Sequence, residues 1–518
     1  MNEELIVPQS ERSDRESQIE EKPHGSLFSS FIGGVIFLNL GSLSRTVFTL
    51  LATILVVRRL SAEEFGVFIL LGVIATFLTQ LTGFGLDLST TKFIAGSNDE
   101  LYKSQLVDSV VLFRLLTIVI IGLVSLFTRN LLVSFFSSSL SLNFAIFIPL
   151  LYFLTSSRPL LNSILQGYEQ FGKISIGDFI ASILNFILIL VFVFMLGQGI
   201  FGLIYARLIS ESLSLTFLFF SIPTKKSLAI NLIIIKKILI FGFPLQLNDI
   251  LTFGYRRADS LIIGVFLGPA AIAYYEVARR IPDSLATFYA AFKSVYYPLM
   301  SKLFALGEKE KAEKILNNSI RWISLVFTFG ALISLVFGKE VIGFIFSEKY
   351  LPSVPVFVLL MLGLTFTFLQ YTLGYSLVAI GDSNKPVIVN AALATVSLIT
   401  NVLLIPVLGV LGAAIANVAG NAIAVPFNML FLAKRKISVQ FWGFMKPILI
   451  LGICSLVLLF HKADTILGKT LIIGLFLLIS IIWSVITRED VDIAKRELRI
   501  SINALKRSCL LRGKHSDT

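Results

Sequence analysis

Apolar residues in this chain run in long, nearly unbroken stretches, without the alternation of a half-buried strand. A helix needs about 20 apolar residues to cross roughly 30 Å of hydrocarbon, whereas a barrel strand needs about 10 that alternate. The pattern predicts helices, and fourteen runs are long enough. They lie near 30–57, 66–91, 105–127, 143–165, 174–196, 199–221, 238–265, 270–299, 320–338, 353–380, 386–408, 410–433, 443–460 and 470–487. The expected fold is an all-α polytopic membrane protein with about 14 transmembrane helices. Residues 1–26 are polar and charged and read as a disordered cytoplasmic leader, without the basic start and short apolar core of a cleavable signal peptide. No loop between runs exceeds 20 residues, which leaves no room for a soluble catalytic or nucleotide-binding domain.

Composition narrows the class. Of 518 residues, 56% are hydrophobic and 15% charged, against about 25% charged in an average soluble protein. An ordinary cytosolic enzyme and a disordered chain are excluded. Two cysteines, Cys454 and Cys509, make no disulfide framework. The three histidines, His24, His461 and His515, all lie outside the apolar runs, so no histidine-based site is expected within the membrane.

The net charge of +12 reads as topology rather than nucleic-acid binding. With a cytoplasmic N-terminus, 28 lysines and arginines lie in, or at the edges of, the leader, the even-to-odd loops and the tail; seven lie on the other side and nine within runs. Both ends are therefore expected in the cytoplasm and the chain in the cytoplasmic membrane. The tail, 488–518, alternates charge with Ile493, Leu498, Ile502 and Leu505, as an amphipathic surface helix would.

Two segments repeat. Leu60–Phe68 matches Leu267–Tyr275 at an offset of 207, and Gly199-x-x-Gly202-x-x-x-Ala206 matches Gly409-x-x-Gly412-x-x-x-Ala416 at 210. This predicts two six-helix lobes in one orientation, 27–222 and 238–434, joined by a basic linker, 223–237. Two extra helices within 435–487 follow.

A charge at the bilayer centre costs about 2.5–3.5 kcal/mol even on the lenient insertion scale, so such residues face a cavity or a partner. Helical spacing offers Arg207 to Glu211, Arg256 to Asp259, Glu276 to Arg280 and Arg279 to Asp283. Arg45, Arg114, Arg158 and Lys293 have no acid within one turn. Across helices, Asp87, Asp178 or Asp249 remain open as partners for Arg114 and Arg158. Nearly all these cations fall in the first eight runs, which suggests one wet cationic cavity for an anionic head group. Its candidate residues are Arg45, Arg114, Arg158, Arg256, Arg257 and Lys293. Tyr274, Tyr275, Tyr289, Tyr296 and Tyr297 serve either as packing or as stacking surfaces for sugar rings. The stretch Ala463–Thr470 fits a relaxed phosphate-loop pattern, but it joins two membrane runs on the outer side and lacks the strand and soluble domain the motif needs.

Several segments together are similar to a known family: SLSRTVFTLLATILVVRRLSAEEFGVF, LTGFGLDLSTTKFIA, ILQGYEQFGKIS, RRADSLIIGVFLGPAAIAYYEVARRI, VYYPLMSKL and NVLLIPVLGVLGAAIANVAGNAI. In order and spacing the chain resembles the polysaccharide (O-antigen-type) flippases of the multidrug/oligosaccharidyl-lipid/polysaccharide exporter superfamily, over about residues 27–487. The resemblance implies two lobes around a cationic cavity and passage of a polyprenyl-pyrophosphate-linked oligosaccharide by alternating access. It places Arg45 where such proteins tend to carry an arginine in the first span. Arg256 or Arg257 falls in the charged segment opening the second lobe. Expected partners are the lipid-linked substrate, the bilayer and glycan-assembly enzymes; no cofactor and no nucleic acid are called for, and a monomer suffices.

The alternatives make different demands. A cation-coupled exporter of drugs would depend on Asp249, Asp259 or Glu276, though the first span lacks any acid. A membrane glycosyltransferase would need large outer loops and paired surface acids, and Glu63–Glu64 is the only such pair. A purely structural scaffold would leave the intramembrane cations unexplained.

Overall fold

The computed structural model describes residues 24–135, 142–224, 230–382, 384–460 and 465–487. Most of the leader, the tail, Lys225 and Lys226 of the basic linker, and His461–Asp464 lie outside the described residues. The described residues form helices and turns, with no strand among them. In chain order the helices are α1 (His24–Arg59), α2 (Ala62–Leu81), α3 (Leu86–Ala95), α4 (Glu100–Phe127), α5 (Arg129–Phe135), α6 (Leu142–Ala145), α7 (Ile148–Gly167), α8 (Phe171–Ile189) and α9 (Gly199–Phe220). Then follow α10 (Leu232–Arg256), α11 (Ala258–Phe266), α12 (Pro269–Ala305), α13 (Lys309–Ile345), α14 (Val354–Ala379), α15 (Asn384–Leu408), α16 (Val410–Lys434), α17 (Phe441–Phe460) and α18 (Ile466–Ile482).

Eleven membrane-spanning candidates are long and apolar enough, and they match the first six predicted runs and the ninth to thirteenth. The seventh and eighth runs correspond to α10–α11 and α12, which carry Lys236, Lys237 and Asp249, and Glu276, Arg279, Arg280, Asp283 and Lys293, and are not among the eleven. The fourteenth is the shorter apolar helix α18. The chain is thus an all-helical, multi-pass membrane protein. Residues 300–319 form the end of α12, a turn through Gly307 and the start of α13.

The helices show the burial of a lipid-facing bundle. On α4, Leu116, Val119, Ile120, Leu123 and Phe127 are exposed, whereas Asp108, Ser109, Arg114, Thr117 and Ser125 are buried. Polar groups turn inward because hydrocarbon offers them no hydrogen bonds.

The described residues fall into two compact units. One holds the chain up to Ala52 with Leu81–Ser125 and Pro149–Gln246; the other holds Thr53–Gln80, Leu126–Ile148 and the described chain from Leu247 onward. In the first, α8 packs along α9; in the second, α16 packs against both α14 and α15, and α13 against α14 and α17.

The repeated glycines occupy matching positions. Gly199 and Gly409 both adopt positive φ, +55° and +63°, where side chains are strained. Gly202 lies against the backbone of Phe192, and Gly412 against that of Leu404. The other repeat pair meets directly: a Cβ on Gly66 would sit 1.8 Å from the Pro269 carbonyl oxygen.

Candidate functional site

In the first unit, four helices bring two arginines and two carboxylates together. Arg45 (α1) donates through Nη1 to Asp178 Oδ1 at 3.0 Å and through Nη2 to Glu211 Oε1 at 3.3 Å. Arg158 (α7) donates to Asp178 Oδ1 at 2.9 Å, to Glu211 Oε2 through Nε at 2.7 Å, and to Ser214 Oγ at 2.8 Å. Ser214 in turn donates to the Gly177 carbonyl at 2.7 Å, fixing α9 to α8. Arg207 lies within electrostatic reach of Glu211, Arg45 and Arg158. Three cations and two anions leave the cluster one positive charge in excess. Arg158 is 9% exposed and structural in position, while Arg45, whose guanidinium meets the same two carboxylates, is 42% exposed.

Arg114 belongs elsewhere. Its side chain is 2% exposed and binds the carbonyls of Thr82 and Gly83 at 3.1 and 3.3 Å, with Asp87 at 3.5 Å. These carbonyls follow the end of α2, where backbone acceptors lack helical donors. Arg114 thus caps a turn between helices, with Asp87, one of the partners the sequence left open, beside it.

In the second unit, a break at Arg257 (φ −140°) separates α10 from α11 and places a second ion cluster at the break. Arg257 meets Glu276 at 3.2 Å, Arg279 meets Asp283 at 3.1 Å, and Arg279 lies 3.6 and 3.7 Å from Asp259 and Glu276. Tyr275 donates to Asp259 at 2.5 Å and Ser260 to Glu276 at 3.0 Å. The expected Arg279–Asp283 pair is present. The expected Arg256–Asp259 pair is not, because the helix break between them cancels the i+3 geometry. Glu276 takes its close ion pairs from Arg257 and Arg279, with Arg280 adding electrostatic attraction. Asp249, half-buried on α10, has no ion pair or hydrogen bond among the described residues.

Arg256 points instead into a cavity of about 320 Å³ that Lys293, Tyr289, Tyr371 and Tyr375 also line. Arg256 donates to the Tyr371 hydroxyl at 3.2 Å, and Lys293 Nζ lies 4.5 Å from the Tyr375 ring centroid. Arg257, by contrast, is tied to Glu276. Of the five tyrosines singled out in the sequence, only Tyr289 lines this cavity. Tyr275 serves the ion cluster, Tyr274 packs on Tyr350, Tyr296 hydrogen-bonds Ser376, and Tyr297 meets Tyr375. The cavity also holds Gln370, Asn390 and Asn428, which sequence reasoning passed over. The available signal was weak: Gln370 is the single amide of its apolar run, but Asn390 shares its run with Asn401, and Asn428 with Asn417 and Asn421.

The glycine-lysine stretch in the first turn of α18 serves structure: Thr465 accepts from Gly468 N at 3.2 Å as an N-cap, and Lys469 donates to Glu340.

A family model described as "Polysaccharide biosynthesis protein" matches residues 55–355, more than half of the sequence. The chain belongs to that family. Among its relatives is the probable low-salt glycan biosynthesis flippase Agl15 of Haloferax volcanii, 24% identical over 391 residues, covering 74% of this chain and 79% of that protein. The structure resembles the lipid II flippase MurJ in an inward closed conformation, with a TM-score of 0.70 at 18% identity over 88% of this chain and 99% of that one. It also resembles an inward-facing multidrug resistance transporter of the MATE family, with a TM-score of 0.60 at 18% identity over 78% of this chain and 98% of that one. The family match and these two folds bear out the superfamily resemblance drawn from the sequence.

Proposed function

We propose that this family member is a transporter, not an enzyme, that flips a polyprenyl-pyrophosphate-linked oligosaccharide across the cytoplasmic membrane. The observation that carries the reading is Arg45: a half-exposed guanidinium, held in a fixed fork by Asp178 and Glu211, in a cluster with excess positive charge. A preorganised guanidinium binds phosphate oxygens by charge-assisted, bidentate hydrogen bonds at little further ordering cost. Arg158 acts through Arg45 by holding the same two carboxylates. The names of Agl15 and MurJ point the same way. Alternating access would then carry the head group across while the lipid tail stays in the bilayer, with both chain ends cytoplasmic. The lipid bilayer and glycan-assembly enzymes are the expected partners, and one chain suffices.

Asp249 favours a second reading. An acid without a partner inside a membrane run is where a coupling cation or proton would sit, as a gradient-driven exporter requires. Asp259 and Glu276 fit that role less well, since arginines already neutralise them.

Reconstitution in liposomes with a fluorescent polyprenyl-pyrophosphate oligosaccharide tests the proposal. Protein-dependent protection from an impermeant quencher is expected. Transport of a cationic dye under a proton or sodium gradient, with no lipid translocation, would select the second reading.

A further inference from the structure

The cavity in the second unit has a chemistry distinct from the Arg45 cluster. Two of its amides are nearly inaccessible, Gln370 at 3% and Asn428 at 1% exposure. Gln370 Nε2 and Asn428 Oδ1 have no hydrogen-bond partner, although Asn428 Nδ2 donates to the Gln370 carbonyl at 3.3 Å. Buried polar atoms of this kind are normally satisfied, and leaving one unmade costs about 1–3 kcal/mol. One free donor and one free acceptor match a hydroxyl pair, since a hydroxyl both gives and takes a hydrogen bond.

The rest of the wall completes the pattern. Tyr289 is stacked on Phe368 with ring centroids 4.6 Å apart, which fixes an aromatic face on the cavity. Arg256 and Lys293 supply two cations, and no acidic residue lines the cavity among the described residues. The volume of about 320 Å³ lies at the small end of the range of ligand pockets, about 300–1,000 Å³. Gly374 keeps the cavity open: a Cβ there would reach only to 4.0 Å from Asn428 Oδ1, so added side-chain atoms fill space without moving backbone.

We infer that this cavity is a saccharide subsite that holds one sugar bearing a negative group. Gln370 and Asn428 read its hydroxyls, the tyrosines take its apolar face, and Arg256 and Lys293 take its carboxylate or phosphate. This rests on the reading that the cargo carries sugar. It reassigns Arg256 and Lys293 from the pyrophosphate to the glycan.

The test is titration of the purified full chain in detergent with glucuronate, glucose 1-phosphate and glucose. Saturable binding of a charged sugar, tighter than that of glucose, is expected; preference for glucuronate identifies an acidic sugar and preference for glucose 1-phosphate a sugar phosphate. Gln370→Leu and Asn428→Leu each weaken binding about tenfold, the range of a lost hydrogen bond to a buried group. Lys293→Gln weakens the preference for charge, leaving Arg256 as the remaining cation. Gly374→Val, which narrows the cavity and removes no polar group, weakens binding, while the surface variant Lys311→Gln binds as wild type does. Monodisperse elution and thermal melting establish that each variant is folded. The subsite is overturned if folded wild type binds none of the three sugars, if glucose binds as tightly as the charged pair, or if folded Gly374→Val binds normally. Binding in detergent requires no translocation, so failure here leaves the flippase reading to its own liposome assay.

Discussion

Arg45 and Arg158 donate to the same oxygen, Asp178 Oδ1, at 3.0 and 2.9 Å, and they take opposite oxygens of Glu211. The two arginines therefore share their counter-charges but differ in exposure. That difference separates a residue available to a ligand from one that holds the frame.

Arg158→Ala should unfold the first unit more than it alters selectivity. It strips donors from both Asp178 and Glu211 in a buried setting, and breaking such a pair costs about 3–5 kcal/mol. Thermal melting in detergent should show a large drop for Arg158→Ala and a small one for Arg45→Ala.

Asp249→Asn should translocate lipid-linked glycan at close to the wild-type rate, because no contact depends on the carboxylate. Asp259→Asn should melt at lower temperature, because Tyr275 and Arg279 lose their charged partner. Rates with and without an imposed proton gradient check the first and thermal melting the second; loss of gradient dependence in Asp249→Asn alone would move the assignment to a coupled exporter.

Gly66→Ala should destabilise the protein by about 1–3 kcal/mol, the usual range for overpacking, since its Cβ would collide with the Pro269 carbonyl. Gly474→Ala on α18 meets nothing within 4 Å and should be neutral or stabilising. Paired melting curves compare them.

Asp382 and Arg435 form a bidentate pair at 2.6 and 2.7 Å outside the membrane spans. The hydrogen bonds from Arg435 hold the Asp382 carboxyl below the usual carboxylate range. Its stabilising contribution is therefore present above the unfolded value, about 3.9, and is lost as pH falls through the lowered one. Asp382→Asn should melt below wild type at neutral pH, and the gap should close only in strongly acidic buffer. A gap independent of pH would show that the charge is not what matters.

Much of this was legible in the sequence, and the failures have physical causes. Run length and polarity gave the spans because hydrocarbon imposes both. The equally spaced glycines have like surroundings, since Gly202 and Gly412 each meet the backbone of a preceding helix. Arg279–Asp283 was readable because both lie on one unbroken helix. Arg256–Asp259 was misread because nothing local marks the break at Arg257. The partners of Arg45 and Arg158 sit 133 and 20 residues away at Asp178, a distance that helical periodicity does not reach. Asp87 was among the cross-helix partners open to Arg114 and lies 3.5 Å from it, but the closer acceptors are backbone carbonyls, which carry no sequence signature.

The most direct measurement is translocation of a fluorescent polyprenyl-pyrophosphate oligosaccharide in liposomes by wild type, Arg45→Ala and Arg45→Lys. Wild type should translocate, and Arg45→Ala, equally folded, should be slower by roughly tenfold or more, the scale of a lost charge-assisted hydrogen bond. Arg45→Lys should restore only part of the rate, because an ammonium lacks the fork. An equally folded Arg45→Ala protein that flips at the wild-type rate would contradict the account.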